Sequence, residues 1–461
     1  MKKLISFLIV ICMLPCLSGC GSIYSNYREV EQLLVIQTMG LDTLSDGVRL
    51  TLAAPSTTGN TGSPVSLSGD GQSITSAIER IRNYSTEDDL FCAHINHVVL
   101  GEDTAKQGIG QYLAYICRSP EMRIDTPLYV VRECSAAEFI SGVIGTGTGI
   151  CEVLDAVKAT ADERGDSYVF TAAQVVRELD RHGSALICAL EYSNSDELVG
   201  DSGQGGVGNS SSQSGSSDEQ AQAGEASGQE QEDSESQSGS KGSQPPQGES
   251  TAPESPSPDA QAEAGSRQEG TSGQPPAPSG EQSRGKTASA AGYGIIKGKK
   301  LVGYIGREDA IGANFLLNLV AVSDILVTDR EGAYVTLEIT QGGTKIVPVW
   351  DEEGALKGID VYAHVSASIH EMQTSENHGG GEYEDYITAQ LESAISRRMG
   401  SVLQASKRLR ADFLGLEDRV ELADPLRFRN QSLSFEELLP KLEIRISVSG
   451  KLSHTNNLKD T

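Results

Sequence analysis

The sequence predicts an α+β protein in two folded parts: a mixed α/β region, a disordered linker, and then an antiparallel sheet with one long helix packed on it. Three observations predict it. Up to about residue 195, apolar residues at helical spacing alternate with short apolar runs of strand character. After residue 291 come alternating strands, one long amphipathic stretch and a last alternating strand. Between them, from Gly208 to Ala290, there is no Val, Ile, Leu, Met, Phe, Tyr or Trp.

In the first part, Leu33 to Met39 and Val48 to Ala53 read as strands. Ser73 to Tyr84 reads as a helix: Ile74, Ala77, Ile78 and Ile81 fall on one face, and Ser73 stands where an N-cap belongs. Asn96 to Leu100 is a short strand. Thr104 to Cys117 is helical, with Ile109, Leu113 and Ile116 aligned. Pro127 to Val131 is a strand, Ser135 caps a helix ending near Gly142, Thr171 to Leu179 is helical, and Ala185 to Leu190 is a buried strand. The middle segment cannot bury enough apolar surface to offset its conformational entropy, so disorder is expected there. From Asp196 to Ala290 it carries sixteen acids and four bases. It reads as a solvated insertion, with an extended stalk as the other possibility.

In the second part, Tyr293 to Ile296 and Leu301 to Tyr304 flank Lys297-Gly298-Lys299-Lys300, a hairpin signal. Ala310 to Leu319 is a short helix, and Tyr334 to Ile339 and Lys345 to Trp350 are strands. Ile359, Val361, Ala363, Val365, Ala367 and Ile369 share one strand face. Tyr383 to Phe413 is a long amphipathic helix, aligned by Ile387, Leu391, Ile395, Met399 and Val402, and Leu442 to Val448 is the last strand.

The start of the chain carries an address. Lys2 and Lys3 precede an apolar run from Leu4 to Leu14 that is too short to span a bilayer, followed by Leu17-Ser18-Gly19-Cys20. This resembles a bacterial lipobox, in which the cysteine is diacylated and becomes the first mature residue; the other reading is an ordinary signal in which Cys20 is incidental. The expected division is 1–19 signal, 20–195 N-terminal domain, 196–290 linker, 291–455 C-terminal domain and 456–461 tail. Of the eight cysteines, Cys12 and Cys16 leave with the signal and Cys20 carries lipid. Cys92, Cys117, Cys134, Cys151 and Cys188 remain; they read as small buried hydrophobes, with one or two disulfides left open. The formal net charge of −27 excludes nucleic acid as a partner and argues against broad adhesion to anionic lipid. Attachment then rests on acyl chains.

Several stretches resemble the Ger(x)C family, the lipoprotein C subunits of spore nutrient germinant receptors. Arg28-Glu29-Val30-Glu31-Gln32-Leu33 and the strand ending Gly40-Leu41-Asp42 are similar to the family's opening. The fullest match is Ala93-His94-Ile95-Asn96-His97-Val98-Val99-Leu100-Gly101-Glu102, continuing through Ala105, Gly108, Arg118, Pro120, Glu121, Arg123, Asp125 and Thr126. Leu301-Val302-Gly303-Tyr304, Phe413-Leu414-Gly415-Leu416 and Leu439-Pro440-Lys441-Leu442-Glu443-Ile444 follow in family order. Gly21 stands where a Trp-Asp pair is common, and the linker is longer than usual. The resemblance implies a non-enzymatic subunit without cofactors, anchored by lipid on Cys20 to the extracytoplasmic face of the inner spore membrane. Its partners would be integral membrane subunits of the receptor.

Candidate chemistry is sparse. His94 and His97, with Glu102 nearby, make half a metal site at most, and a structural role is favoured. Gly145, Gly147 and Gly149 miss the dinucleotide spacing because Ile150 stands where glycine is needed. Gly200-Asp201-Ser202-Gly203 mimics a serine-protease segment, but at the edge of the linker it lacks a rigid base and oxyanion donors. Arg118, Glu121, Arg123 and Asp125 read as a salt-bridged loop whose exposed members are open to a partner. On the long helix, Arg397, Arg398, Lys407 and Arg410 stand out in an acidic chain as an expected partner surface. The rival reading is a substrate-binding lipoprotein of an uptake transporter, which needs two similar lobes around a cleft.

Overall fold

A computed structural model describes residues 33–55, 63–84, 89–165, 167–194, 286–373 and 381–453. The signal, Cys20, the Gly200–Gly203 segment and nearly all of the expected linker lie outside the described residues.

The first part runs β1 (Leu33–Val35), β2 (Thr38–Leu44), β3 (Gly47–Ala54), β4 (Val65–Gly71), α1 (Ile74–Tyr84), β5 (Asp89–Phe91), β6 (His97–Leu100), α2 (Glu102–Gln107), α3 (Gly110–Arg118), β7 (Leu128–Val131), α4 (Ala136–Ile144), α5 (Ile150–Arg164), α6 (Ala172–His182) and β8 (Ser184–Asn194). After the linker come β9 (Lys286–Lys297) and β10 (Lys300–Ile305), then α7 (Arg307–Leu317), β11 (Ser323–Thr328), β12 (Tyr334–Trp350), β13 (Leu356–Met372), α8 (Gly381–Leu409), three short helices α9 (Leu416–Ala423), α10 (Pro425–Arg429) and α11 (Phe435–Leu438), and β14 (Glu443–Ser453).

One eight-stranded sheet has the order β10-β9-β8-β7-β6-β2-β3-β4. Its centre, β2-β6-β7-β8, is parallel, and the two outer pairs on each side are antiparallel. Parallel strands need crossover helices on the sheet faces, so β6 (HVVL) and β7 (LYVV) are buried at every position. The expected 293–304 hairpin forms, and it closes this sheet against β8. β9 begins at Lys286, inside the stretch assigned to the linker. Ala288 and Ala290 are buried there against the helix side that carries Phe139 and Leu154. Alanine is a poor strand former, so composition alone places these residues with the linker.

The second sheet, β11-β12-β13-β14, is antiparallel for three strands. The expectation of a wholly antiparallel sheet needs one correction: β14 joins parallel to β13. The reason is α8, which acts as the crossover between them and packs its Ile387, Leu391, Ile395, Met399 and Val402 stripe on the sheet. β12 is continuous where two strands were expected, because Gly342 lets the Phe315 ring lie against the strand, where a Cβ would come within 2.6 Å of it. Asp351 shapes the β12–β13 turn by accepting from Glu353 N (3.0 Å) and Ala355 N (2.7 Å).

Other boundaries shift for local reasons. The expected helix over Thr104–Cys117 breaks into α2 and α3 at Gly108 (φ +145°), and the Ile109 amide is satisfied by Lys299 O (2.8 Å) from the β9–β10 turn. Leu33–Met39 divides into β1 and β2, because the Ile36 and Gln37 amides turn to Phe91 O and Ala53 O. α5 has no counterpart in the expectations, although Ile150, Leu154, Val157 and Ala161 carry helical spacing and are buried. Short β4 and β5 and edge strand β11 were also unexpected. Ser73 and Ser135 do cap α1 and α4, and Thr171–Gln174 forms a capping box on α6. Cys92, Cys151 and Cys188 are buried as expected; Cys134 is half-buried and Cys117 exposed.

Where α7 crosses α8, a Cβ on Gly312 would lie 2.5 Å from the Arg398 carbonyl carbon. Gly312→Ala is therefore expected to destabilise the protein by about 1–3 kcal/mol despite alanine's better helix propensity, seen as a lower urea midpoint with an unchanged m-value.

Candidate functional site

The expected cationic surface does not form a single face. Arg397 is exposed. Arg398 is half-buried beneath the α7 crossing, its Nη1 buried without a hydrogen-bond partner. Burial pulls the Arg398 pKa down, opposed by the nearby Glu308 and Asp309 carboxylates. Lys407 turns inward and donates to Leu442 O (2.7 Å), tying α8 to the entrance of β14. Arg410 is exposed just past the helix end in a left-handed conformation (φ +50°). Arg397 and Arg410 thus remain available to a partner, while Arg398 and Lys407 serve the fold. Helical spacing predicts faces within α8 but carries no record of what crosses it.

The residues around the His94–Glu102 block act as internal ties. Asp42, at the end of β2, accepts from Ala136 N and Ala137 N (both 2.8 Å), a carboxylate set on the N-terminus of α4. Glu102 accepts from Glu133 N (2.6 Å), Lys106 Nζ (3.1 Å) and Tyr304 Oη (3.1 Å), which joins the β7 exit to β10. Arg132 lies over the Tyr304 ring at 4.9 Å. His94 packs at an angle on Phe91. His97 is 1% exposed; its Nε2 pairs with Asp155 Oδ1 (3.0 Å) and its Nδ1 meets Tyr129 Oη (3.3 Å). Cys151 Sγ sits 3.8 Å from Asp155 Oδ2.

His97, Cys151 and Asp155 are close enough for a metal, and they are tied to one another through the Asp155 carboxylate. Burial pushes the Cys151 thiol up to about 11, and its S–H is placed to donate to Asp155 Oδ2. Both ring nitrogens of His97 already have partners. The sequence brings His97 and Asp155 together only through the fold, since Asp155 lies on a helix with no motif linking it to the block.

A cavity of about 670 Å³ lies between α1 and α3. Ile74 and Ile78 are among its apolar lining, and Glu79, Arg82, Arg118 and Glu121 bring charge of both signs. Two members of the expected charged loop therefore line a cleft, whereas Arg123 and Asp125 pair with one another in a bidentate contact (2.8 and 3.1 Å). An apolar floor with a mixed-charge rim suits a small amphipathic molecule or a partner side chain.

Burial lowers the His97 pKa, with Asp155 opposing. A base whose folded pKa is depressed contributes stability that is complete above its unfolded value, about 6.5, and is lost as pH falls below it. The stability margin of the wild type over His97→Gln is expected to shrink as pH drops from 7.5 to 5.5, measured by urea unfolding across that range.

Residues 26–192 match the family model described as the spore germination protein N-terminal domain, and residues 291–456 match the spore germination B3/GerAC-like C-terminal model. No curated protein matches the chain. A solved structure titled "Crystal Structure of the GerBC protein" is similar at 15% identity and a TM-score of 0.46, covering 90% of this chain and 96% of that one. With both models matched in order across the two parts of the chain, this protein belongs to the Ger(x)C family of spore germination proteins, the C subunits of germinant receptors.

Proposed function

We infer that this chain is a lipid-anchored, non-enzymatic subunit of a nutrient germinant receptor, held on the extracytoplasmic face of the inner spore membrane by acyl chains on Cys20. It works there by assembling with integral membrane subunits. The observation that carries this reading is the ordered match of both family models, over 26–192 and 291–456. No described helix is long and apolar enough to cross a membrane. The lipobox-like segment before Cys20 supplies the anchor in this reading. Confinement to one membrane raises the effective concentration of the partners, so modest contacts suffice for assembly.

The uptake-transporter reading draws on the α1–α3 cavity, which is of ligand size. It asks for two lobes that open and close around a cleft. Here β9 and β10, from the second half of the chain, are strands of the first sheet, an arrangement that favours a fixed assembly.

Two measurements test the inference. Cys20→Ala is expected to abolish lipid attachment and, where the signal is removed, to move the protein from the membrane to the soluble fraction of spore extracts; a variant that stays in the membrane and is still cleaved after Gly19 would remove the lipid anchor from the proposal. Arg397→Glu, on the exposed side of α8, is expected to reduce co-purification with the membrane subunits at an unchanged melting temperature. Full recovery of the complex would exclude this part of α8 as an interface.

A further inference from the structure

A second histidine sits in a different environment from His97. His182 is the last residue of α6, and its side chain is 3% exposed. Its Nδ1 is buried and has no hydrogen-bond partner. That nitrogen faces two carboxylates from the far side of the linker: Asp412 Oδ2 at 4.0 Å and Glu417 Oε2 at 4.0 Å. Both distances are too long for hydrogen bonds. The other nitrogen, Nε2, faces Asp418 Oδ2 (3.5 Å) and Glu178 Oε2 (3.7 Å).

From this arrangement we propose a divalent transition-metal site, with His182 Nδ1, Asp412 and Glu417 as its protein ligands and Zn²⁺ as the type of ion it takes. The three ligand atoms lie within 4.8 Å of one another. Ions bound at about 2.0–2.2 Å hold their ligand atoms roughly 3–4 Å apart, so the two 4.0 Å separations from His182 Nδ1 stand at the upper end and the carboxylates would draw in on the ion. A histidine that ligates through one nitrogen usually donates its other N–H to a carboxylate, which fixes ring and tautomer. Asp418 and Glu178 stand in that place. They are held in turn by Arg181 and Arg177, so their charge is already matched.

Asp412 is pre-set for the role. It is 6% exposed, and its two oxygens accept from Leu416 N (2.9 Å) and Glu417 N (2.8 Å) at the start of α9. Each oxygen retains a lone pair for a cation. Arg419 is half-buried nearby, its pKa pulled down by burial and opposed by Asp412, and its Nη1 is buried without a hydrogen-bond partner. Gly415, at φ +62°, leaves the turn free of a side chain beside His182, where a Cβ would lie 3.6 Å from Nε2. An imidazole with two carboxylates favours a borderline ion over Mg²⁺ or Ca²⁺, which prefer all-oxygen shells. The ion would clasp the end of α6 to the start of α9, one element from each side of the linker.

The competing arrangement is a protonated imidazole held by the same carboxylates, a charge state that their proximity favours. Equilibrium dialysis of the full-length, detergent-solubilised protein against Zn²⁺ separates the two. The wild type is expected to bind one more equivalent of Zn²⁺ than His182→Gln, to bind it at least tenfold more tightly than Mg²⁺, and to melt at a higher temperature with Zn²⁺ present. Glu417→Ala, at a more exposed position that tolerates truncation, is the second variant and should lose the same equivalent. Identical Zn²⁺ stoichiometry in all three proteins, or equal affinity for Mg²⁺, overturns the site and leaves the protonated clasp. Binding at His97, Cys151 and Asp155 would survive both substitutions and so is distinguished from it.

Discussion

The pairing of β8 with β9 is the contact on which the rest of the architecture depends. β8 is buried at Ala185 through Leu190, with Ile187, Cys188, Ala189 and Leu190 all inaccessible. Without β9 it would present a row of unpaired amides and carbonyls at the edge of an apolar sheet. Each buried backbone group left unmade costs about 1–3 kcal/mol, and an open apolar edge invites association. The antiparallel register from Ser184–Lys297 to Asn194–Lys286 satisfies that edge, and β10 then covers β9. The two parts of the chain are thereby joined by backbone hydrogen bonds. Tyr293 on β9 and Leu186 on β8 also belong to the same core as α8 and the second sheet.

Around that sheet, buried acids stabilise chain ends. Asp42 receives the first amides of α4 from 94 residues away in sequence, and Asp412 those of α9 from four residues away, in the same two-oxygen arrangement. Burial raises the pKa of each, and the backbone amides counter it. An isolated buried carboxylate would be costly, and the orphan N–H groups of a helix start are what make these two tolerable. Glu102 plays a similar part for the loop at Glu133, a non-glycine residue held at φ +60°. An acidic chain thus spends several of its carboxylates on internal geometry, and the formal charge of −27 overstates the charge offered to a partner.

The same inward use of charge explains why the surface was harder to read than the core. Lys407 lies off the apolar stripe of α8, whereas Arg398, three residues after Ile395 and four before Val402, falls on it, so helical spacing itself argues against reading Arg398 as solvent-facing. α7 crosses over Arg398, and the carbonyl of Leu442 captures Lys407. Long side chains bury their stems and bring the charged group to whatever polar atom lies in reach. Exposure of such residues is a property of neighbouring elements, and those neighbours come from distant sequence.

Local pattern alone determined the α+β plan, the stripe of α8, the short strands β6 and β7, the caps at Ser73 and Ser135, and the hairpin after the linker. Each rests on a 3.6- or 2-residue period or on a single side chain beside its own backbone, so a short window contains the whole cause. Tertiary structure decided the rest: the break at Gly108 answered by Lys299, the continuity of β12 across Gly342, the parallel entry of β14, and the union of both halves through β9. It also brought His97 to Asp155 and His182 to Asp412 and Glu417. These depend on what packs against a residue from far along the chain, where burial and hydrogen-bond satisfaction outweigh the weak local preference of any one segment.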